Sequence, residues 1–209
     1  QVGVIEAIRS QRPDLPYIEL AHRIDRDTSG LLVLAKKRSF LRRFQSSLRE
    51  KTGLIKQYQL IVHGNWPSQL RKVDLRLSKL RLDNGERVSR GDENGKQSVT
   101  KFEVIRRFPG ITWLSAQPIT GRMHQIRVHA AASGFPIIGD PKYGNTIKDA
   151  KVTPKRMMLH ASSLKTSRSS VEAGDHALAP LNLEAPVPDA FFGFADRYDK
   201  AQSSRLADH

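Results

Sequence analysis

Between residues 57 and 117 the chain breaks into short apolar runs with turn chemistry between them, and that spacing limits the fold more than any other feature. Residues 57–62, 73–77, 98–107 and 111–117 are rich in β-branched and aromatic side chains and read as strands. Asp83-Asn84-Gly85 and Asn94-Gly95 lie between them. Such pairs tolerate the positive φ that tight hairpins require. Leu31–Lys37 and Met157–Leu164 read as further strands. Helical periodicity is sparser. It marks Val4–Arg12, Phe40 to about Lys51 behind a Ser39 cap, Gly121–Ser133 closed by Gly134, and Pro188–Tyr198. Strands outnumber helices and are often joined by hairpins. The expected fold is therefore α+β (mixed α/β): a central mixed, largely antiparallel sheet flanked by helices and loops. One domain over residues 1–198 is expected, with 168–176 and the 199–209 tail loose.

The run His22-Arg23-Ile24-Asp25-Arg26-Asp27-Thr28-Ser29-Gly30 has no evident use in a core. It packs two carboxylates, two guanidiniums and an imidazole into six residues. Charges are costly to bury unless paired, and polar loops beside a strand often carry chemistry. A solvated, self-neutralising turn is the plain alternative. About one hundred residues on, Thr120-Gly121-Arg122-Met123-His124-Gln125-Ile126-Arg127-Val128-His129 opens an expected helix with an equally polar inventory. A basic amphipathic helix is the plain reading; the sharper one has an arginine there meeting a carboxylate of the first loop.

The charge balance points to an anionic partner. The chain carries 35 Lys and Arg against 21 Asp and Glu, a net +14. Residues 1–108 hold 23 of the basic and 12 of the acidic groups, so the basic surface is expected mainly on the first half. Nucleic acid fits such a surface; a membrane fits less well, because no basic helix carries a wide aromatic face. On the expected helix from Phe40, Arg42, Arg43 and Arg49 fall off the Phe40-Phe44-Leu48 stripe, more often a solvated face than an RNA contact. No apolar run approaches the length of a membrane span. Zero cysteines exclude disulfides and thiolate metal sites and fit a reducing cytoplasm. His124, His129 and His160 lack the spacing of a metal set, and no metal is expected.

These motifs resemble the RluA-type pseudouridine synthases. His22–Gly30 is similar to that family's signature, and Lys56-Gln57-Tyr58 to its Lys-x-Tyr strand. Thr120–His129 with Gly139-Asp140-Pro141-Lys142-Tyr143-Gly144 resembles its long third motif, and Met158-Leu159-His160-Ala161 its Leu-His-Ala strand. The order and spacing agree over roughly residues 3–190. The flanks Gly3-Val4-Ile5-Glu6 and Ala35-Lys36-Lys37-Arg38-Ser39 look most like the RluC branch, which acts on large-subunit ribosomal RNA. Members carry a Lys-Pro-x-Gly loop, and often an S4 RNA-binding domain, ahead of this region. The chain starts beyond both and is expected to be the catalytic domain alone.

The resemblance implies isomerisation of uridine to pseudouridine, which needs no cofactor or metal. It implies Asp25 as the catalytic carboxylate, Arg127 as its partner within salt-bridge reach, and Tyr58 as the active-site tyrosine. Arg23 is implied as the side chain that fills the stack vacated by a flipped base. His22, Lys56, Arg122, His124 and Leu159 are the expected substrate and RNA contacts. Large-subunit ribosomal RNA is the expected partner, with transfer RNA the alternative and a monomer the default. A catalytically silent RNA-binding or ribosome-assembly module shares the charge but has no need of Asp25, Tyr58 and Arg127 together. A nuclease would want metal carboxylates or paired histidines.

Overall fold

The computed structural model describes residues 3–49, 53–167 and 178–197. Its sheet contains β2 (Ser29–Gly30), β4 (Leu54–His63), β5 (Lys72–Asp74), β8 (Val99–Phe108), β9 (Ile111–Pro118), β10 (Leu159–Thr166) and β11 (Asn182–Glu184). They run in the order β11-β10-β4-β9-β8-β5, with β2 added beside β10. Only the β2–β10 pair is parallel, so the sheet is mixed and largely antiparallel. Two small ribbons stand apart: β1 (Glu19–Leu20) with β3 (Leu34–Ala35), and β6 (Leu77–Arg81) with β7 (Arg87–Gly91).

Hydrophobic burial explains why β4 and β9 lie at the centre. Leu60, Ile61 and Val62 of β4 and Ile111 and Leu114 of β9 are all fully buried, as strands covered on both faces must be. They share one core with Ile126 and Ala130 of α3 (Gln125–Ala132) and with Phe191 and Phe194 of a closing helix over 189–197. A second core forms under α2 (Arg38–Arg49), where Phe44 meets Ala21, Ala35, Leu54, Leu164 and Leu178. Phe40, Phe44 and Leu48 form that seam as their spacing predicts. Arg38, Arg42, Arg43 and Arg49 stay exposed.

Several elements differ from the sequence reading. The run Leu31–Lys37 is not one strand. Ser29–Gly30 pairs with β10, and Leu34–Ala35 pairs with β1. Leu31 and Val33 each make one backbone bond at the ends of these pairings, to Ala161 and Ala21, and are covered by the α2 core, so apolarity here reports burial rather than a continuous strand. The run 73–77 splits into β5 and β6. Asp83-Asn84-Gly85 closes the β6–β7 hairpin, with Gly85 at φ +79. Asn94-Gly95 only returns the chain toward β8. Helix α1 (Val4–Gln11) forms as expected. Ser39 lies inside the first turn of α2 rather than at its cap. Helix α3 starts at Gln125, not Gly121. The Gln125 side chain explains the delay: its Oε1 accepts from Thr120 Oγ1 at 2.7 Å and from Arg122 N at 3.0 Å, holding residues 120–124 as a turn. The unexpected α4 (Thr146–Val152) is capped by Asn145, whose Oδ1 accepts from Lys148 N at 3.0 Å. Tyr198, the loose segment 168–176 and the tail lie outside the described residues.

Gly30 ties the polar loop to this sheet. Its φ is +108, and a Cβ there would stand 2.2 Å from the Ala161 carbonyl oxygen. Gly30→Ala should therefore lower stability by about 3 kcal/mol, backbone strain and clash combined. A lower urea midpoint at unchanged m-value is the expected readout.

Candidate active site

Four segments of the fold meet at one cleft of about 720 Å³. The 22–30 loop enters from β2, held by Gly30 against β10. Strand β4 supplies Lys56 and Tyr58, and β10 supplies Leu159. The turn before α3, with α3 itself, supplies Arg122, His124 and Arg127. All nine side chains singled out in the sequence line this cleft: His22, Arg23, Asp25, Lys56, Tyr58, Arg122, His124, Arg127 and Leu159.

Arg127 anchors the arrangement. Its side chain is 1% exposed. Nε and Nη2 donate to the two oxygens of Asp140 at 2.8 and 2.7 Å, a bidentate fork. Nη1 donates to Asp25 Oδ2 at 3.2 Å, as the sequence reading expected. Burial pulls the guanidinium pKa down, but Asp140 and then Asp25 raise it further, so the net shift is upward. Burial pulls the other way on Asp140, raising its pKa. The Arg127 hydrogen bond and charge, with the amides of Lys142 and Tyr143, outweigh it and leave Asp140 below the ordinary carboxylate range.

The two acids of the loop are now distinct. Asp25 is held deep by Arg127, whereas Asp27 faces exposed Arg26 at 3.5 Å. Arg23 is exposed and makes no ion pair among the described residues. Tyr58 has its pKa pushed up to about 12, by burial first and by the Asp25 charge second; it is a neutral phenol at physiological pH. Burial lowers the Lys56 pKa. Its ammonium makes no ion pair among the described residues, a cation facing the cleft. Burial, and then the Lys56 charge, lower the His22 pKa. Its Nε2 accepts from Val33 N at 3.1 Å and its ring stacks on Phe44, so it also fastens the loop to the α2 core. Arg122 Nε donates to the Gln97 carbonyl at 3.2 Å. Leu159 is 3% exposed and forms an apolar wall.

The three histidines have separate partners. His129 Nε2 is hydrogen-bonded with Ser98 Oγ at 2.8 Å, and burial pushes its pKa down to about 4. His160 bridges Ser29 Oγ and the Ala185 carbonyl, and His124 meets Tyr143. Among the described residues no group of three or more His, Asp or Glu could hold a metal ion.

The sequence reading missed Asp140 and Tyr143 as parts of the site. Their motif was visible, but Gly139-Asp140-Pro141 reads as a turn, and only the fold brings it under Arg127. Lys79, Glu86, Arg87 and Lys142 on the rim were also missed. A Lys142–Glu86 ion pair latches the β6–β7 hairpin beside the cleft.

The RNA pseudouridylate synthase signature matches residues 6–132, a span that contains Asp25, Tyr58 and Arg127. The chain belongs to this family. It is similar to the protein named ribosomal large subunit pseudouridine synthase C of Haemophilus ducreyi, 44% identical over 86% of this chain and 57% of that one. The protein of the same name in Pasteurella multocida is 45% identical over 87% of this chain and 56% of its own length. The chain thus spans somewhat over half of these relatives. Among solved structures, human RNA pseudouridylate synthase domain containing 1 aligns at a TM-score of 0.68 and 25% identity, over 87% of this chain and 74% of that one. Human RNA pseudouridylate synthase domain containing 4 aligns at 0.66 and 25%, over 90% and 77%. The family fold is the mixed sheet described above.

Asp140→Asn tests the clamp. Asp140 has a lowered pKa in the fold, so its stabilising charge is fully present above its ordinary value of 3.8 and is lost as pH falls through the lower folded value. The variant leaves Arg127 half-paired in a buried site, a loss of about 3–5 kcal/mol at neutral pH. Its stability should also change less than the parent's below about pH 4. Urea titrations across pH would show both effects.

Proposed function

We propose that this chain is the catalytic unit of an enzyme that isomerises uridine to pseudouridine in large-subunit ribosomal RNA. The observation that carries this reading is the Asp25 carboxylate, aimed by buried Arg127 into a cleft walled by Tyr58 and Leu159. The 44–45% identity to proteins named for large-subunit pseudouridine formation supports the choice of RNA. The basic surface supports a polyanionic partner, and zero cysteines suit a cytoplasmic setting.

In the isomerisation the N1–C1′ bond breaks, the base rotates, a C5–C1′ bond forms, and the C5 proton leaves as N1 gains one. No atom is gained or lost, so positioned side chains can carry the whole sequence. Asp25 supplies the negative charge that meets an electron-poor carbon. Attack at C1′, attack at C6 and elimination all begin from this carboxylate. Arg127 spends its fork on Asp140 and gives Asp25 a single contact. This aims the carboxylate while leaving Oδ1 outside the fork. Tyr58 enters as a phenol that bounds the base and donates a hydrogen bond. If a covalent bond neutralises Asp25, the charge that helps raise the Tyr58 pKa disappears, and the phenol becomes a better acid at that moment.

A stacked uridine must leave its helix to reach the cleft, at a cost of a few kcal/mol. Arg23 stands exposed on the same loop as Asp25 and fills the vacated place. Lys56, Arg122 and His124 surround the flipped nucleotide.

Asp25→Asn keeps the shape and removes the charge. The rate of tritium release from C5-labelled uridine in ribosomal RNA should fall on the order of 10³-fold or more, with RNA affinity changed by less than about threefold. Retained turnover would refute the assignment. Equal loss of binding would assign Asp25 to RNA recognition instead.

A further inference from the structure

Tyr143 sits at the junction of three site residues. Its hydroxyl accepts from Ser89 N at 2.8 Å and lies 2.7 Å from His124 Nδ1. A backbone amide can only donate, so the hydroxyl proton is available to Nδ1. With Nδ1 as the acceptor of that proton, the ring hydrogen of neutral His124 lies on Nε2. That nitrogen stands 3.9 Å from Asp25 Oδ1, the oxygen Arg127 does not hold. The Tyr143 ring also lies against Arg127, its centroid 5.1 Å from the guanidinium carbon. One residue thus touches both groups that face the Asp25 carboxylate.

The backbone points the same way. His124 has φ 54, in the left-handed region that residues with a Cβ rarely adopt. Such strain persists where the surroundings over-determine it, and it clusters at functional sites. Here the turn fixed by Gln125 brings the imidazole back toward the cleft.

We propose that Tyr143 and His124 are a positioning pair for Asp25. Tyr143 fixes the Nε2–H tautomer of His124, and His124 thereby faces Oδ1 with a donor while Arg127 holds Oδ2. This rests on the reading of Asp25 as the reacting carboxylate. At 3.9 Å the contact is longer than a hydrogen bond. It orients the carboxylate electrostatically and leaves Oδ1 open to substrate. The competing account is that position 124 only needs a residue tolerant of left-handed backbone.

Two substitutions separate these accounts. His124→Asn suits the left-handed backbone but has no group at the Nε2 position. His124→Gln strains the backbone yet returns an N–H near Nε2. If His124 acts as a donor, single-turnover pseudouridine formation should be about tenfold or more faster in His124→Gln than in His124→Asn. Tyr143→Phe, which keeps the ring on Arg127, should slow turnover about tenfold with RNA affinity within about twofold. Nitrogen NMR of the free chain should show the His124 hydrogen on Nε2, and a tautomer mixture in Tyr143→Phe. An Asn variant as active as the Gln variant, or more so, overturns the proposal. So does a wild-type hydrogen on Nδ1. An inactive wild-type chain would refute the functional reading instead. The tautomer and its loss in Tyr143→Phe would still decide whether the pair exists.

Discussion

The site depends on one buried cation shared unequally by two carboxylates. Arg127 is almost wholly removed from water and is held by three hydrogen bonds. Asp140 takes two of its donors at 2.7–2.8 Å, and Asp25 takes one at 3.2 Å. Removing Asp140 strips the fork and leaves this buried cation with the single Asp25 contact, where solvent cannot replace what was lost. The inequality has a chemical use. The strong fork sets the plane of the guanidinium, and the weaker contact lets Asp25 be aimed without being smothered.

The fold is arranged so that this contact can form. Asp25 and Arg127 are 102 residues apart, one on the loop that leads into β2 and the other on α3. The parallel addition of Ser29–Gly30 beside β10 fixes where the polar loop emerges. The Gln125 side chain keeps residues 120–124 out of the helix and at the cleft. Asp140 and Tyr143 then brace Arg127 and His124. The β6–β7 hairpin closes the site from the side, through Ser89 and the Lys142–Glu86 pair.

Much of the site was legible because its chemistry is crowded. Asp25 and Arg127 lie in dense polar motifs whose composition has no packing purpose, and the family resemblance separated Asp25 from Asp27 and picked out Tyr58. The β4, β8, β9 and β10 strands were legible because their burial is periodic or continuous. What was hidden depends on partners distant in sequence. Leu31 and Val33 are apolar because the α2 core covers them, and apolarity does not distinguish helix cover from strand pairing. In Leu77-Ser78-Lys79-Leu80-Arg81 and Arg87-Val88-Ser89-Arg90-Gly91 charged residues break the apolar pattern, so the hairpin's strands were obscured although its Asn-Gly turn was not. Asp140 looks like turn punctuation until Arg127 is folded onto it.

The central claim is that Arg127 contributes placement of Asp25, beyond charge. Arg127→Lys keeps the charge and removes the fork. The decisive measurement is its single-turnover rate of pseudouridine formation, taken beside RNA affinity and thermal stability. The account predicts a chain that folds and binds RNA within about threefold of the parent, yet reacts about 10²-fold more slowly, the usual consequence of a misplaced reacting group. An unchanged rate in a folded, RNA-binding variant would contradict it.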